Sequence, residues 1–283
     1  MNTLKIVVLM GVMGVLFVLV GGAIFGRQGA VFALVLAGLM NLVTYFFSDR
    51  MVLSMYGARV VTEAEAPLLY DVVRSLSTRS GIPMPKIAII PQESPNAFAT
   101  GRNPEHAVVA ATEGILRLVD RDELEGILAH EIAHVVNRDI LLGAITATLA
   151  AALSHLSQMA FWGGMGRRDD REGGRNPLIA ILAMILAPIA AVLIQAMISR
   201  QKEFRADESG AALSGKPLAL ASALQKLEAA SHRVPLVGNP ATSHLFIVNP
   251  FAGGLSRLFS THPPTEQRIA RLREMATGGL RPR

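Results

Sequence analysis

Four stretches of the chain carry no Lys, Arg, Asp or Glu: Ile6–Gly26, Gly29–Phe47, Ile140–Trp162 and Pro177–Ser199, of 21, 19, 23 and 23 residues. A hydrocarbon core of roughly 30 Å needs about 20 helical residues at about 1.5 Å each, so each stretch is long enough to cross a membrane. Lipid offers the backbone no hydrogen-bond partners, which makes helices the expected form. Only Arg27 and Gln28 separate the first pair, predicting a hairpin. At 21 residues, the first stretch is long for the apolar region of a cleaved signal, about 7–15. The second pair flanks Gly163–Asn176 and is richer in Ala, with Ser154, His155, Ser157 and Gln158 in its first member. Two buried core helices are the competing reading of that pair.

The polar pieces have their own periodicities. Glu63–Ser80 predicts an amphipathic helix with Leu68, Leu69, Val72, Val73 and Leu76 on its apolar face. Lys86–Pro91, Asn96–Thr100 and His106–Ala111 predict short strands, the last two joined by the turn residues Gly101-Arg102-Asn103-Pro104. Asp120, with Glu123 three residues on, predicts a capped helix running through Leu124, Ile127 and Leu128. Helices are also expected over Arg200–Gly215, Leu218–Ser231 and Glu266–Met275, with a proline-containing loop region over 232–265. The chain thus divides into an N-terminal hairpin (1–47), a polar piece (48–139), a second hairpin (140–199) and a second polar piece (200–283).

Composition sharpens this division. Charged residues make up 17% of the whole chain, but 25% of the 197 residues outside the four stretches, an ordinary soluble value. The absence of cysteine excludes disulfides, Cys-ligated zinc and thiol nucleophiles. The net charge of +5 comes from 22 Arg and 5 Lys and suits an anionic membrane surface. With three Tyr and one Trp there is no aromatic-interleaved basic patch, so nucleic acid is not the expected partner. The large polar pieces and residues 1–5 hold 22 of the Lys and Arg, which assigns them to the cytoplasm. Four Arg in Gly163–Asn176 run against that rule.

The capped helix carries His130-Glu131-Ile132-Ala133-His134. Positions i and i+4 share a helix face, so both imidazoles can reach one Zn²⁺. Glu131 lies beside them as general base for a metal-activated water. A zinc hydrolase needs a third ligand and one open position. The best candidate is Glu203, just after the fourth apolar stretch as His134 is just before the third, so the intervening hairpin would return it to the same membrane face. Asp207, one turn on, would hydrogen-bond a ligand imidazole.

His130–Asp139 (HExxHxxNxD), Glu203–Asp207 (EFxAD), Asn96–Ala99 (NAFA) and Thr261–Pro264 (THPP) occur here in the order found in the HtpX family, which the chain resembles over nearly its whole length. These are bacterial membrane heat-shock zinc endopeptidases, related to the CAAX prenyl proteases. The resemblance implies one zinc per chain on His130, His134 and Glu203. Glu131 would be catalytic, Asp207 a carboxylate behind a ligand, and Asn96, Ala97 and Phe98 an edge strand that receives substrate. Asn96 as a turn former after Pro95 is the competing reading. The resemblance further implies that His262 and Arg268 face the cleft and stabilise the oxyanion; a capping histidine and a surface arginine are the alternatives.

The resulting expectation is a mainly α integral membrane protein, with four transmembrane helices and a gluzincin-type zinc protease domain holding a small β-sheet. It would sit in the bacterial inner membrane with its site facing the cytoplasm, and hydrolyse misfolded or damaged membrane proteins and unfolded polypeptides under stress. A narrow-specificity processing protease and a non-catalytic scaffold with a structural metal are the alternatives.

Overall fold

The computed structural model describes residues 2–149, 200–231, 233, 245–248 and 263–278. Helix α1 (Asn2–Met55) holds both arms of the expected hairpin and breaks at Gly26, with φ 64° and ψ −154°. Only glycine adopts such a conformation without strain, which places the break one residue before Arg27. The arms lie against each other, and Asn41 Nδ2 donates to the Met10 carbonyl at 3.2 Å. The second arm, Gly26–Met55, has a mean hydropathy of 2.1 and is long enough to cross a membrane; among the described residues it is the one unbroken helix of that kind. Phe32, Val35, Leu39 and Leu42 on it are exposed. The start of the third apolar stretch forms α5, Ile140–Leu149. The rest of that stretch, and the fourth, lie outside the described residues.

Beyond α1 a four-stranded sheet forms in the order β1-β2-β4-β3, from β1 (Arg59–Val60), β2 (Lys86–Ile90), β3 (Ala97–Thr100) and β4 (Val108–Thr112). β2 and β4 run parallel, from Lys86 opposite Val108 to Ile90 opposite Thr112. β3 runs antiparallel to β4, with Ala97 opposite Ala111 and Thr100 opposite Val108, and forms one edge. The strand expected at His106 begins at Val108 because Pro104–His106 close a 3-10 turn first. β1, two exposed residues long, has no apolar pattern to announce it.

The helices follow their termini. α2 (Pro67–Ser80) starts four residues later than its periodicity suggested. Pro67 suits the first helical position, but it disfavours helical geometry at Ala66, which has φ −141°. α3 (Glu113–Leu118), not expected from the sequence, is capped by Thr112 Oγ1, which accepts from Ile115 N–H at 3.2 Å. α4 (Arg121–Val136) has the expected capping box: Asp120 Oδ1 accepts from Glu123 N–H, and Glu123 Oε2 from Asp120 N–H. It ends at Val136, and at Arg138, whose φ is 56°, the chain turns through 90° into α5. α6 (Arg200–Ser214), α7 (Pro217–Ser231) and α8 (Thr265–Ala276) match their expected extents closely.

Period-two alternation splits the sheet between two cores. Ile87, Ala97, Ala99, Val109 and Ala111 pack with α2, α4, α6 and α7. Ala88, Ile90, Phe98, Val108 and Ala110 pack with Val52, Leu53 and Tyr56 at the end of α1 and with Ala144 and Ala147 of α5. The sheet is therefore the layer between the apolar helices α1 and α5 and the helical half of the molecule.

Candidate metal centre

α4 and α6 cross at backbone distance. A Cβ on Gly210 would lie 2.7 Å from His130 N and 2.8 Å from its Cα. That contact sets one face of α6 against the histidines. His130, His134 and Glu203 each offer one ligand atom, all within 4.8 Å of one another. The two Nε2 atoms are 3.3 Å apart. Glu203 reaches His134 Nε2 at 3.5 Å and His130 Nε2 at 3.8 Å. Tetrahedral ligands about 2.0–2.1 Å from an ion lie roughly 3.4 Å apart, so these separations fit zinc.

The outer ring nitrogens meet carboxylates. His130 Nδ1 lies 2.9 Å from Asp207 Oδ1, and His134 Nδ1 lies 3.5 Å from Asp139 Oδ2. Both contacts favour a proton on Nδ1 and leave Nε2 to face inward. Each carboxylate is held in turn. Arg268 donates from Nε and Nη2 to the two oxygens of Asp207, both at 2.7 Å. Lys202 Nζ donates to Asp139 Oδ1 at 2.7 Å, next in sequence to Glu203.

Glu131 Oε2 accepts from Ala99 N–H at 2.9 Å, so the free edge of β3 faces this carboxylate. Burial pushes the Glu131 pKa up, against the pull of both histidines and the Ala99 N–H. Burial pulls His134 down, but the Asp139 hydrogen bond and the charges of Glu203 and Glu131 outweigh it and raise its pKa to about 9. Burial likewise opposes ionisation of Asp139, yet His134 and Lys202 hold it at about 2. Asp207 is also held below the usual carboxylate range, its burial outweighed by Arg268 and His130.

Expected site residues are found here in differing roles. His130, Glu131, His134, Glu203 and Asp207 converge as one group. Arg268 lies behind that group instead of facing the cleft: it is 1% exposed, and three of its five N–H groups go to Asp207 and the Ile247 carbonyl. Ala97 and Phe98 are in the edge strand as expected. Asn96 precedes the strand, and its side chain binds the backbone of 245–248, donating to Leu245 O and accepting from Ile247 N–H, both at 3.2 Å. His262 lies outside the described residues. Asp139 closes the HExxHxxNxD block, which by itself assigns it no role, and Lys202 stands outside the motifs. The signal was the acid five residues after His134, at the point where α4 gives way to the apolar α5.

The peptidase family M48 model matches residues 63–276. The protease HtpX homolog of Thermodesulfovibrio yellowstonii is 55% identical over 279 residues, covering 98% of this chain and 99% of that protein. The homolog from Salinibacter ruber is also 55% identical, with the same coverage, and that from Thermococcus kodakarensis is 56% identical over 90% of each chain. The crystal structure of Ste24p from S. mikatae has a TM-score of 0.51 at 16% identity, covering 96% of this chain. This chain spans 64% of that one, and the likeness is one of fold.

Proposed function

The chain belongs to peptidase family M48 and is a membrane metalloprotease, and on that premise we propose that it is a zinc endopeptidase using His130, His134 and Glu203 as ligands and Glu131 as general base. The observation that carries the reading is the convergence of two inward Nε2 atoms and one carboxylate, each imidazole backed by a carboxylate at Nδ1. That donor set is the one zinc hydrolases use, with three protein ligands and an open position.

When bound, zinc activates water and polarises the scissile carbonyl. Glu131 then takes the proton of the attacking water and delivers it to the leaving amine. Its buried position favours the second step, because a carboxyl with a raised pKa holds a proton more readily. The substrate backbone adds to the free edge of β3 by main-chain hydrogen bonds, alongside Ala97 and Phe98. Asn96 contributes by holding residues 245–248 against that strand. Arg268 acts through Asp207, fixing the His130 ring. His262 is the oxyanion donor in this reading, the role that the family resemblance implies for it.

The substrates are misfolded or damaged membrane proteins and unfolded polypeptides. The four-span architecture and a cytoplasm-facing site in a bacterial inner membrane belong to the same reading. A structural metal in a non-catalytic scaffold is the weaker alternative, since a structural site closes with a fourth protein ligand and this group, among the described residues, has three.

The ligand assignment is tested by metal content. Wild-type protein is expected to carry one zinc per chain and to lose casein cleavage on chelation, while serine reagents leave it active. Glu203→Ala is expected to lose the ion. Retention of one zinc at wild-type affinity would remove Glu203 from the site.

A further inference from the structure

The height of the site above the bilayer follows from contacts within the chain. Asn41 meets Met10 across the hairpin of α1, so Lys5 and Phe46, each five residues further along, lie at one level. Lys5 is the charge that precedes the first apolar stretch, and Tyr45, Phe46 and Phe47 close the second. All three rings are partly exposed, at 40–44%. Aromatic rings beside a last charge mark the boundary between hydrocarbon and headgroups.

Two arginines gather at that boundary. The Arg50 guanidinium stands 5.5 Å from the Phe47 ring centre, and that of Arg102 stands 5.5 Å from the Phe46 ring centre. Arg102 belongs to the β3–β4 turn, where it donates to His106 Nε2 at 2.6 Å while His106 Nδ1 donates to Asn103 Oδ1 at 2.7 Å. The turn is thus braced with its cation over the aromatic boundary. Lys5, Arg50 and Arg102 together, with Asp49 as the neighbouring acid, suit anionic headgroups.

The same elements lead directly to the site. From Phe46 to Tyr56, about ten residues of helix rise roughly 15 Å. Tyr56 then packs on Phe98, ring centres 5.6 Å apart, next to the Ala99 that touches Glu131. On the other side, α5 leaves Asp139 beside His134, and its Leu141, Leu142, Ile145 and Leu149 join Ile6, Leu9 and Met13 of the hairpin. The rise along α1 puts the metal centre roughly 10–15 Å above the boundary, a distance an extended peptide covers in about three to five residues, and the α5 contacts tie the same centre to the hairpin.

We propose that the end of α1 and the β3–β4 turn form a docking surface for anionic lipid headgroups that holds the metal centre at a fixed height, so that bonds are selected by their distance from the membrane. The substrate class is then the juxtamembrane segment of a membrane protein, cut about three to five residues beyond its apolar span. This rests on the endopeptidase reading above and adds a rule of position to it.

The test uses the full-length zinc-loaded protein in vesicles of equimolar phosphatidylglycerol and phosphatidylcholine. The substrate is a single-span reporter with a uniform polar linker, and cut positions are mapped by mass spectrometry. In a second reporter, about ten polar residues are inserted between the span and the linker. Cuts are expected to stay within about six residues of the span in both reporters, and Arg50→Glu with Arg102→Glu is expected to spread them outward. Position, unlike rate, does not depend on how much active enzyme the variant yields. Cuts that move with the linker sequence in the wild-type arm, or an unchanged distribution in a folded double variant, overturn the proposal. Casein cleavage alongside scattered reporter cuts would sink the positional rule alone; a zinc-loaded chain that cuts neither would sink the endopeptidase reading and this inference with it.

Discussion

At the scale of single residues, the site is two histidines, each with a carboxylate behind it and a cation behind the carboxylate. The two relays differ in burial. Arg268 is buried with Asp207, and removing one partner of a buried ion pair costs about 3–5 kcal/mol. Arg268→Met is therefore expected to lower the melting temperature steeply as well as loosen zinc, which differential scanning calorimetry and metal titration would separate. The Asp139–Lys202 pair is more exposed, so Asp139→Asn should act chiefly on the metal, weakening zinc by about 10–100-fold while the protein stays folded. A zinc affinity equal to wild type would show that His134 needs no such support. The raised pKa of His134 fixes a pH dependence. Its folded value of about 9 exceeds the ordinary 6.5, so in zinc-stripped protein its proton stabilises the fold fully below about pH 6.5. That contribution is lost as pH rises through 9. Melting of the stripped protein should fall over this window, and zinc binding within it should release a proton, measurable by calorimetry in buffers of different ionisation enthalpy.

At the scale of elements, legibility follows how local the determinants are. The α4 capping box, the HExxH face and the extent of α6 were readable because each rests on residues within one or two turns. β1 and α3 were not. The first is two residues that pair with a distant strand, and the second is created by a threonine that also ends β4. Arg268 and Asn96 stand out in the sequence as candidates, but their partners, Asp207 with Ile247 and Leu245 with Ile247, are tertiary contacts that no spacing encodes. Glu203 is legible across the 68 residues that separate it from His134, because the apolar hairpin expected between the motifs implies a return to the same place. The α4–α6 crossing yields the element-scale prediction. Gly210→Ala would force the helices apart at His130 and is expected to cost about 1–3 kcal/mol. It should also weaken zinc, although residue 210 touches no ligand side chain. A variant with unchanged metal affinity would mean that this contact does not set the spacing of the ligands.

At the scale of the whole molecule, the sheet joins the apolar helices α1 and α5 to the half that holds the ligand group, and β3 touches both, Phe98 packing on Tyr56 and Ala99 N–H donating to Glu131. A spanning hairpin has Arg102 and Lys5 on one side of the bilayer and the Gly26 break on the other. A chain without cysteine makes this directly measurable. In sealed vesicles, Gln28→Cys and Asn103→Cys are expected to react with an impermeant maleimide from opposite sides, and labelling of both from one side would contradict the hairpin.

Whether this fold hydrolyses peptides with zinc on α4 and α6 and Glu131 as the proton carrier is decided by Glu131→Gln. The measurement is zinc content and casein cleavage on the same purified sample. Glu131→Gln is expected to hold one zinc per chain with cleavage reduced by at least about 10²-fold, the lower range for loss of an acid–base group. Cleavage at the wild-type rate with zinc in place would contradict it.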